Sequence, residues 1–135
     1  MTWLVTGGAG YIGSHVVRAF TADGIPAVVI DDLSSGHRSF VRPDVPFYEG
    51  SVLNDELLDQ IFTEHTISGV VHLAGFKYAG VSVSRPLHTY SQNITGMVTL
   101  LESMAAHDVT IFVFSSSAAV YGTPTTDLVS EQASR

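Results

Sequence analysis

Short apolar runs alternate along this chain with stretches in which apolar residues recur every third or fourth position. The first run, Trp3-Leu4-Val5, predicts a strand, and the spacing of Ile12, Val16 and Phe20 behind it predicts a helix that Gly24-Ile25-Pro26 closes. Ala27-Val28-Val29-Ile30 predicts a second strand, which ends in Asp31. A polar stretch from Asp32 to Arg42 and a turn at Pro43-Asp44 lead to a short third strand, Pro46 to Glu49. Asn54 is placed to N-cap a helix from Asp55 to His65, with acids Asp55 and Glu56 in its first turn and Leu57, Leu58, Ile61 and Phe62 on one face. Val70 to Ala74 predicts a buried fourth strand, and Ile111 to Phe114 a fifth. Between them the pattern predicts one long helix from about Pro86 to His107, whose stripe of Tyr90, Ile94, Met97, Leu101 and Met104 reads as core.

Continuous apolar strands separated by amphipathic helices imply a parallel sheet covered on both faces. Right-handed crossovers then predict an α/β architecture, a Rossmann-type doubly wound parallel sheet with strand order 3-2-1-4-5. In that order the carboxyl ends of strands one, four and five open onto one crevice, so Gly7 to Gly13, Leu73 to Lys77 and Ser115 to Ser117 are expected to face one ligand.

Composition narrows the ligand. At 135 residues with 45% hydrophobic side chains the chain can bury one core, so a single domain spanning residues 1–135 is expected. A formal charge of -7 with six Lys plus Arg argues against a nucleic-acid surface and favours a small-molecule partner. Without cysteine there is no disulfide and no thiolate zinc site, and no metal site is expected. No run approaches a membrane span and no basic leader precedes an apolar one, so a soluble, cytoplasmic protein is expected.

The chemistry begins at Thr6-Gly7-Gly8-Ala9-Gly10-Tyr11-Ile12-Gly13, directly behind the first strand. Gly7, Gly10 and Gly13 allow a sharp turn, close approach of a ligand to the backbone, and tight packing of helix on strand. Phosphates then meet the helix N-terminus, where free N–H groups and the helix dipole favour an anion. Asp31, at the tip of the second strand and about 20 residues further on, is placed to accept hydrogen bonds from both ribose hydroxyls of an adenosine. Its charge repels a 2′-phosphate, which favours NAD over NADP.

Four segments carry a resemblance: Val5 to His15; Asp31-Asp32-Leu33-Ser34-Ser35-Gly36; Val71-His72-Leu73-Ala74-Gly75-Phe76-Lys77; and Phe114-Ser115-Ser116-Ser117-Ala118-Ala119-Val120-Tyr121-Gly122. In this order, and over nearly the whole chain, they resemble the N-terminal part of the UDP-glucose 4-epimerase (UDP-galactose 4-epimerase) family, within the extended short-chain dehydrogenase/reductases. The resemblance implies that Tyr11 and Ile12 back a pyrophosphate, and that Asp31, Asp32, Leu33, Ser34, Ser35 and Gly36 hold the adenosine ribose. It implies that Leu73, Ala74, Gly75, Phe76 and Lys77 border the middle of the cofactor, with the lone lysine of the chain on phosphate and ribose oxygens. Asn93 matches a helix asparagine near the cofactor, and Ser117 a catalytic serine that bonds the sugar's 4-hydroxyl. The implied reaction is reversible oxidation at C4 of a UDP-sugar by tightly bound NAD, in an isomerase of galactose metabolism that pairs through helices as a homodimer.

Departures qualify that resemblance. Where such enzymes carry an aspartate toward the adenine amino group, this chain has Gly50-Ser51-Val52, so Ser51 and Val52 would meet the base without a charge-assisted bond. Val81 stands where a glutamate is common. A tyrosine followed four residues later by lysine, the family's acid/base pair, is absent: Tyr11, Tyr48, Tyr78, Tyr90 and Tyr121 have His15, Val52, Ser82, Ile94 and Thr125 at that offset. The expectation is therefore a portion of a longer enzyme, ending before its substrate lobe. Two other readings stand beside it: a non-catalytic NAD-binding module, and a sugar-nucleotide 4,6-dehydratase, against which Ala118 and Ala119 replace the Asp-Glu that elimination needs.

Overall fold

The computed structural model describes residues 1–124 and 127–133. Five strands form one sheet in the order β3-β2-β1-β4-β5, with every adjacent pair parallel: β1 (Thr2–Thr6), β2 (Ala27–Asp31), β3 (Phe47–Glu49), β4 (Ile67–His72) and β5 (Ile111–Phe114). This is the doubly wound order that the pattern of strands and helices predicts. Helix α1 (Tyr11–Ala22) joins β1 to β2, and α2 (Asp55–Glu64) joins β3 to β4. From β4 to β5 the chain runs through α3 (Ala79–Ser84), α4 (Pro86–Tyr90), a π turn (Ser91–Thr95) and α5 (Gly96–Ala106). The direction of winding reverses between β1 and β4, which makes the carboxyl ends of those two strands the topological switch point.

Successive strand residues point to opposite faces, so the apolar runs feed two cores. Leu4, Val28, Ile30 and Val70 pack with Leu58, Ile61 and Phe62 of α2 and with Leu100 and Met104 of α5. Val5, Val29 and Val71, aligned across the sheet, pack on the other face with Val17 of α1 and with Val41 and Val45. Asn54 caps α2 as expected, its Oδ1 accepting from the Leu57 amide at 3.0 Å.

Two expectations are corrected. Strand four begins earlier and stops at His72, so Leu73 and Ala74 belong to the loop behind it. The long helix forms over residues 86–106 as α4, the π turn and α5 in unbroken succession, but the stripe assigned to the core is largely outside it: Tyr90, Ile94 and Leu101 are 65%, 55% and 40% exposed. The buried face is Gly96, Leu100 and Met104. Steric fit decides the rotation, because only a residue without a Cβ sits at Gly96, where one would stand 2.9 Å from Val52 Cγ2. The segment is apolar on more than one face, so periodicity alone does not choose between them.

Candidate functional site

The turn after β1 is shaped by contacts that exclude side chains. Gly7 has φ +69°, and a Cβ there would lie 2.7 Å from the Ala74 amide nitrogen. At Gly13 a Cβ would lie 2.1 Å from the Gly7 carbonyl oxygen, so α1 can start this close to β1 only with glycine. The N-cap, Gly10, carries no side-chain cap, and the first turn of α1 holds no acid. The opening N–H groups of a twelve-residue helix thus face the switch point with no side-chain cap and no first-turn acid among the described residues. Tyr11 and Ile12 are 76% and 60% exposed around that end, Tyr11 in edge contact with His15.

Asp31 lies beside the turn, nearly buried at 8%. Its Oδ2 accepts from the Ala9 amide at 2.9 Å and its Oδ1 from the Leu33 amide at 2.8 Å, so one carboxylate ties the glycine turn to the loop after β2. Leu33 is held in the left-handed region, φ +56°, which a leucine adopts only when its surroundings impose it. Asp32 is exposed and accepts from the amide and hydroxyl of Ser34. Ser35 is exposed, and Gly36 packs against the Ala9 carbonyl while the next amide, His37, donates to it at 2.9 Å. Ser51 stands nearby through the bond from Gly50 N to the Asp31 carbonyl, its own hydroxyl accepting from the Leu53 amide. The Val52 side chain is buried in the core, so only its backbone is left to meet a base.

On the far side of the switch point the β4 exit loop runs from Leu73 to Tyr78. Asn93, in the π turn, grips it twice: Oδ1 accepts from Phe76 N at 2.6 Å and Nδ2 donates to Phe76 O at 3.0 Å. Phe76 also makes edge contacts with Tyr78 and His88, and Gly75 lies under the Asn93 amide. Lys77 is exposed and makes no ion pair among the described residues. Beyond β5, the Ser115 amide donates to the His72 carbonyl, which keeps the serine run beside β4. Ser117 caps the short turn Ala118–Tyr121, its hydroxyl accepting from the Ala119 amide at 3.1 Å, and with Ser116, Ala118, Val120 and Tyr121 it lines a hollow of about 340 Å³.

The strand ends therefore bring together an anion-ready helix end, a carboxylate, an asparagine-clamped loop and a serine run. The sequence pattern of the NAD dependent epimerase/dehydratase family matches residues 3–134. The chain belongs to that family. Within it, a UDP-glucose 4-epimerase from Halalkalibacterium halodurans is 48% identical over 124 residues, covering 92% of this chain but 37% of that protein. The crystal structure of the Thermus thermophilus UDP-glucose 4-epimerase in complex with NAD superposes with a TM-score of 0.91 at 35% identity, covering 99% of this chain and 44% of that one. The Bifidobacterium longum enzyme, solved with NAD+ and UDP, gives 0.89 at 34% identity over 98% and 42%.

For an epimerase-family cradle, two side chains stand out that the motifs alone do not mark. Thr6 and His72, both buried, hydrogen-bond at 2.7 Å under the floor of the crevice. A histidine inside an apolar strand was the visible signal. Burial holds its imidazole below the ordinary range, as a neutral base. Among the described residues no cluster of three or more His, Cys, Asp or Glu could hold a metal, and no helix is long and apolar enough to cross a membrane.

Proposed function

We propose that this chain is the NAD-binding, N-terminal portion of a UDP-sugar 4-epimerase acting on UDP-glucose and UDP-galactose. The observation that carries the reading is the convergence at the β1/β4 switch point of an uncapped helix end with a carboxylate tying together the loops after β1 and β2. The residues fit the cofactor. Opening amides of α1 suit a pyrophosphate, and the Asp31 carboxylate spends only part of its acceptor capacity on Ala9 and Leu33, leaving lone pairs for ribose hydroxyls. A carboxylate in that place favours NAD over NADP.

Bound NAD would supply the hydride acceptor for carbon-bound hydrogen at sugar C4. Gly7, Gly10, Tyr11, Ile12 and Gly13 form the phosphate side of the cradle, and Asp31 to Gly36 the ribose side. Ser51 and the Val52 backbone border the adenine. Leu73 to Lys77, fixed by Asn93, flank the cofactor's centre, where Lys77 is free to meet oxygens. Ser117 holds the substrate's 4-hydroxyl and passes its proton to a tyrosine base. We assign that tyrosine, its lysine and the sugar-binding lobe to sequence outside this chain, which spans 37% of the Halalkalibacterium relative's length. We place the enzyme in the cytoplasm and read the exposed ridge of Tyr90, Ile94, Val98 and Leu101 as its pairing surface in a homodimer.

Calorimetry of the chain with NAD tests the cradle: Asp31→Ala should weaken binding, with melting recorded alongside because the same carboxylate also holds two loops. Unchanged affinity would remove Asp31 from the ribose. For the whole reaction, a product containing this chain together with a Tyr-x-x-x-Lys segment should turn UDP-galactose into UDP-glucose without added NAD. Net release of NADH would reject epimerisation.

A further inference from the structure

Thr6 is fully buried at the end of β1, and three groups converge on its hydroxyl. The amides of Leu73 and Ala74 donate to Oγ1 at 3.2 Å each, and Nδ1 of His72 lies 2.7 Å from it. A hydroxyl has one proton and two acceptor lone pairs. With both lone pairs taken by N–H donors, the proton points at Nδ1, and His72 is fixed as the tautomer protonated on Nε2. Phe112 and Phe114, stacked against the imidazole at 5.9 and 6.0 Å, hold the ring in place.

The peptide held by this arrangement is the one on which the glycine turn rests. A Cβ on Gly7 would meet Ala74 N at 2.7 Å and the Leu73 carbonyl carbon at 2.9 Å, so the β4 exit loop is the floor under the phosphate turn. Leu73 N also reaches the Thr6 carbonyl at 3.1 Å, but Ala74 N has the hydroxyl as its one acceptor among the described residues. Turn the hydroxyl away and the Ala74 amide loses its acceptor against Gly7.

We propose that Thr6 and His72 are positioning residues that lock the β4 exit loop beneath the glycine turn, so that grip on the dinucleotide depends on a buried hydroxyl–imidazole pair that does not touch it. The affinity part of this rests on the NAD reading above; the lock itself does not. Serine at position 6 keeps the hydroxyl, valine keeps the shape without it, and phenylalanine at 72 keeps the ring stack without the acceptor.

The test compares the unaltered chain with Thr6→Ser, Thr6→Val and His72→Phe. Imidazole ¹⁵N spectra should show the Nε2–H tautomer of His72 in the unaltered chain and in Thr6→Ser, and a mixture in Thr6→Val. Hydrogen exchange at Leu73 and Ala74 should quicken about tenfold in Thr6→Val and His72→Phe, the scale of one buried hydrogen bond, and stay near the original rate in Thr6→Ser. NAD affinity should fall by about the same factor in the same two variants. If Thr6→Val does not fold, His72→Phe carries the comparison. Unaltered exchange at both amides overturns the lock, and faster exchange with unaltered NAD affinity overturns the positioning role. Failure of the unaltered chain to bind NAD would instead sink the dinucleotide reading, while the tautomer and exchange results still decide the lock.

Discussion

The sheet has two unlike ends. From β2 through β1 to β4, nearly every strand residue is buried, the helices α1, α2 and α5 cover both faces, and the loops at the carboxyl ends are cross-tied by Asp31, Thr6 and Asn93. At β5 the residues are as apolar, yet Ile111, Val113 and Phe114 are 44%, 50% and 49% exposed. An apolar run states a need for cover, and it does not say what provides the cover. The same holds across α5, where Leu100 is fully buried and its neighbour Leu101 is 40% exposed.

The most damaging change should fall in the cross-tied region. Gly13→Ala would place a Cβ 2.1 Å from the Gly7 carbonyl, a backbone atom that cannot swing aside. We expect a loss of about 3 kcal/mol, read from the urea midpoint, together with loss of NAD binding. A wild-type midpoint would mean that α1 and β1 are not packed as closely as described.

Next come the adjacent leucines of α5. Leu100→Ala should cost about 2.5 kcal/mol, because it opens a cavity between the helix and Val28, Ile30 and Val70. Leu101→Ala should cost under about 0.5 kcal/mol in the monomer. Equal costs would show that Leu101 is covered in solution, as the pairing surface proposed above requires, and sedimentation at matched concentrations would then show the partner.

A third test is the pH dependence of His72. Its folded-state pKa is lowered by burial from the ordinary value, about 6.5, so the unfolded chain binds the proton more readily. Stability from this residue is complete above that value and is lost as pH falls from it toward the folded pKa, by up to about 1.4 kcal/mol per unit. His72→Phe should flatten that limb of the stability profile. An unaltered limb would assign the loss to other groups.

The sheet order, α1, α2 and its Asn54 cap, and the clustering of the glycine turn with Asp31 were legible because each rests on local chemistry: a period, a cap or a glycine. The face of α5 was not legible, since its apolar residues surround the helix and only the space beside Val52 at Gly96 selects one side. The π turn was hidden for a related reason: it is tied to the pair of bonds that Asn93 makes to Phe76, a contact across 17 residues that no spacing rule encodes. Ser117 was legible as a capping hydroxyl, because a serine behind a strand commonly satisfies a local backbone group. The structure shows it capping the turn, its hydroxyl oxygen accepting from the Ala119 amide.

The smallest expected effect is the sharpest discriminator between the two ends. Val71 of β4 and Val113 of β5 are partners in register, so they lie side by side on the same face of the sheet. Threonine replaces valine in both with the same branched shape and nearly the same preference for a strand. At position 71, 8% exposed within the core under α1, the new hydroxyl would enter an apolar cluster and cost about 1–3 kcal/mol. At position 113, half exposed, water can satisfy it, and the midpoint should move by less than about 0.5 kcal/mol. A penalty at 113 approaching that at 71 would mean that β5 is covered in solution, and a concentration-dependent penalty would identify another protein chain as the cover.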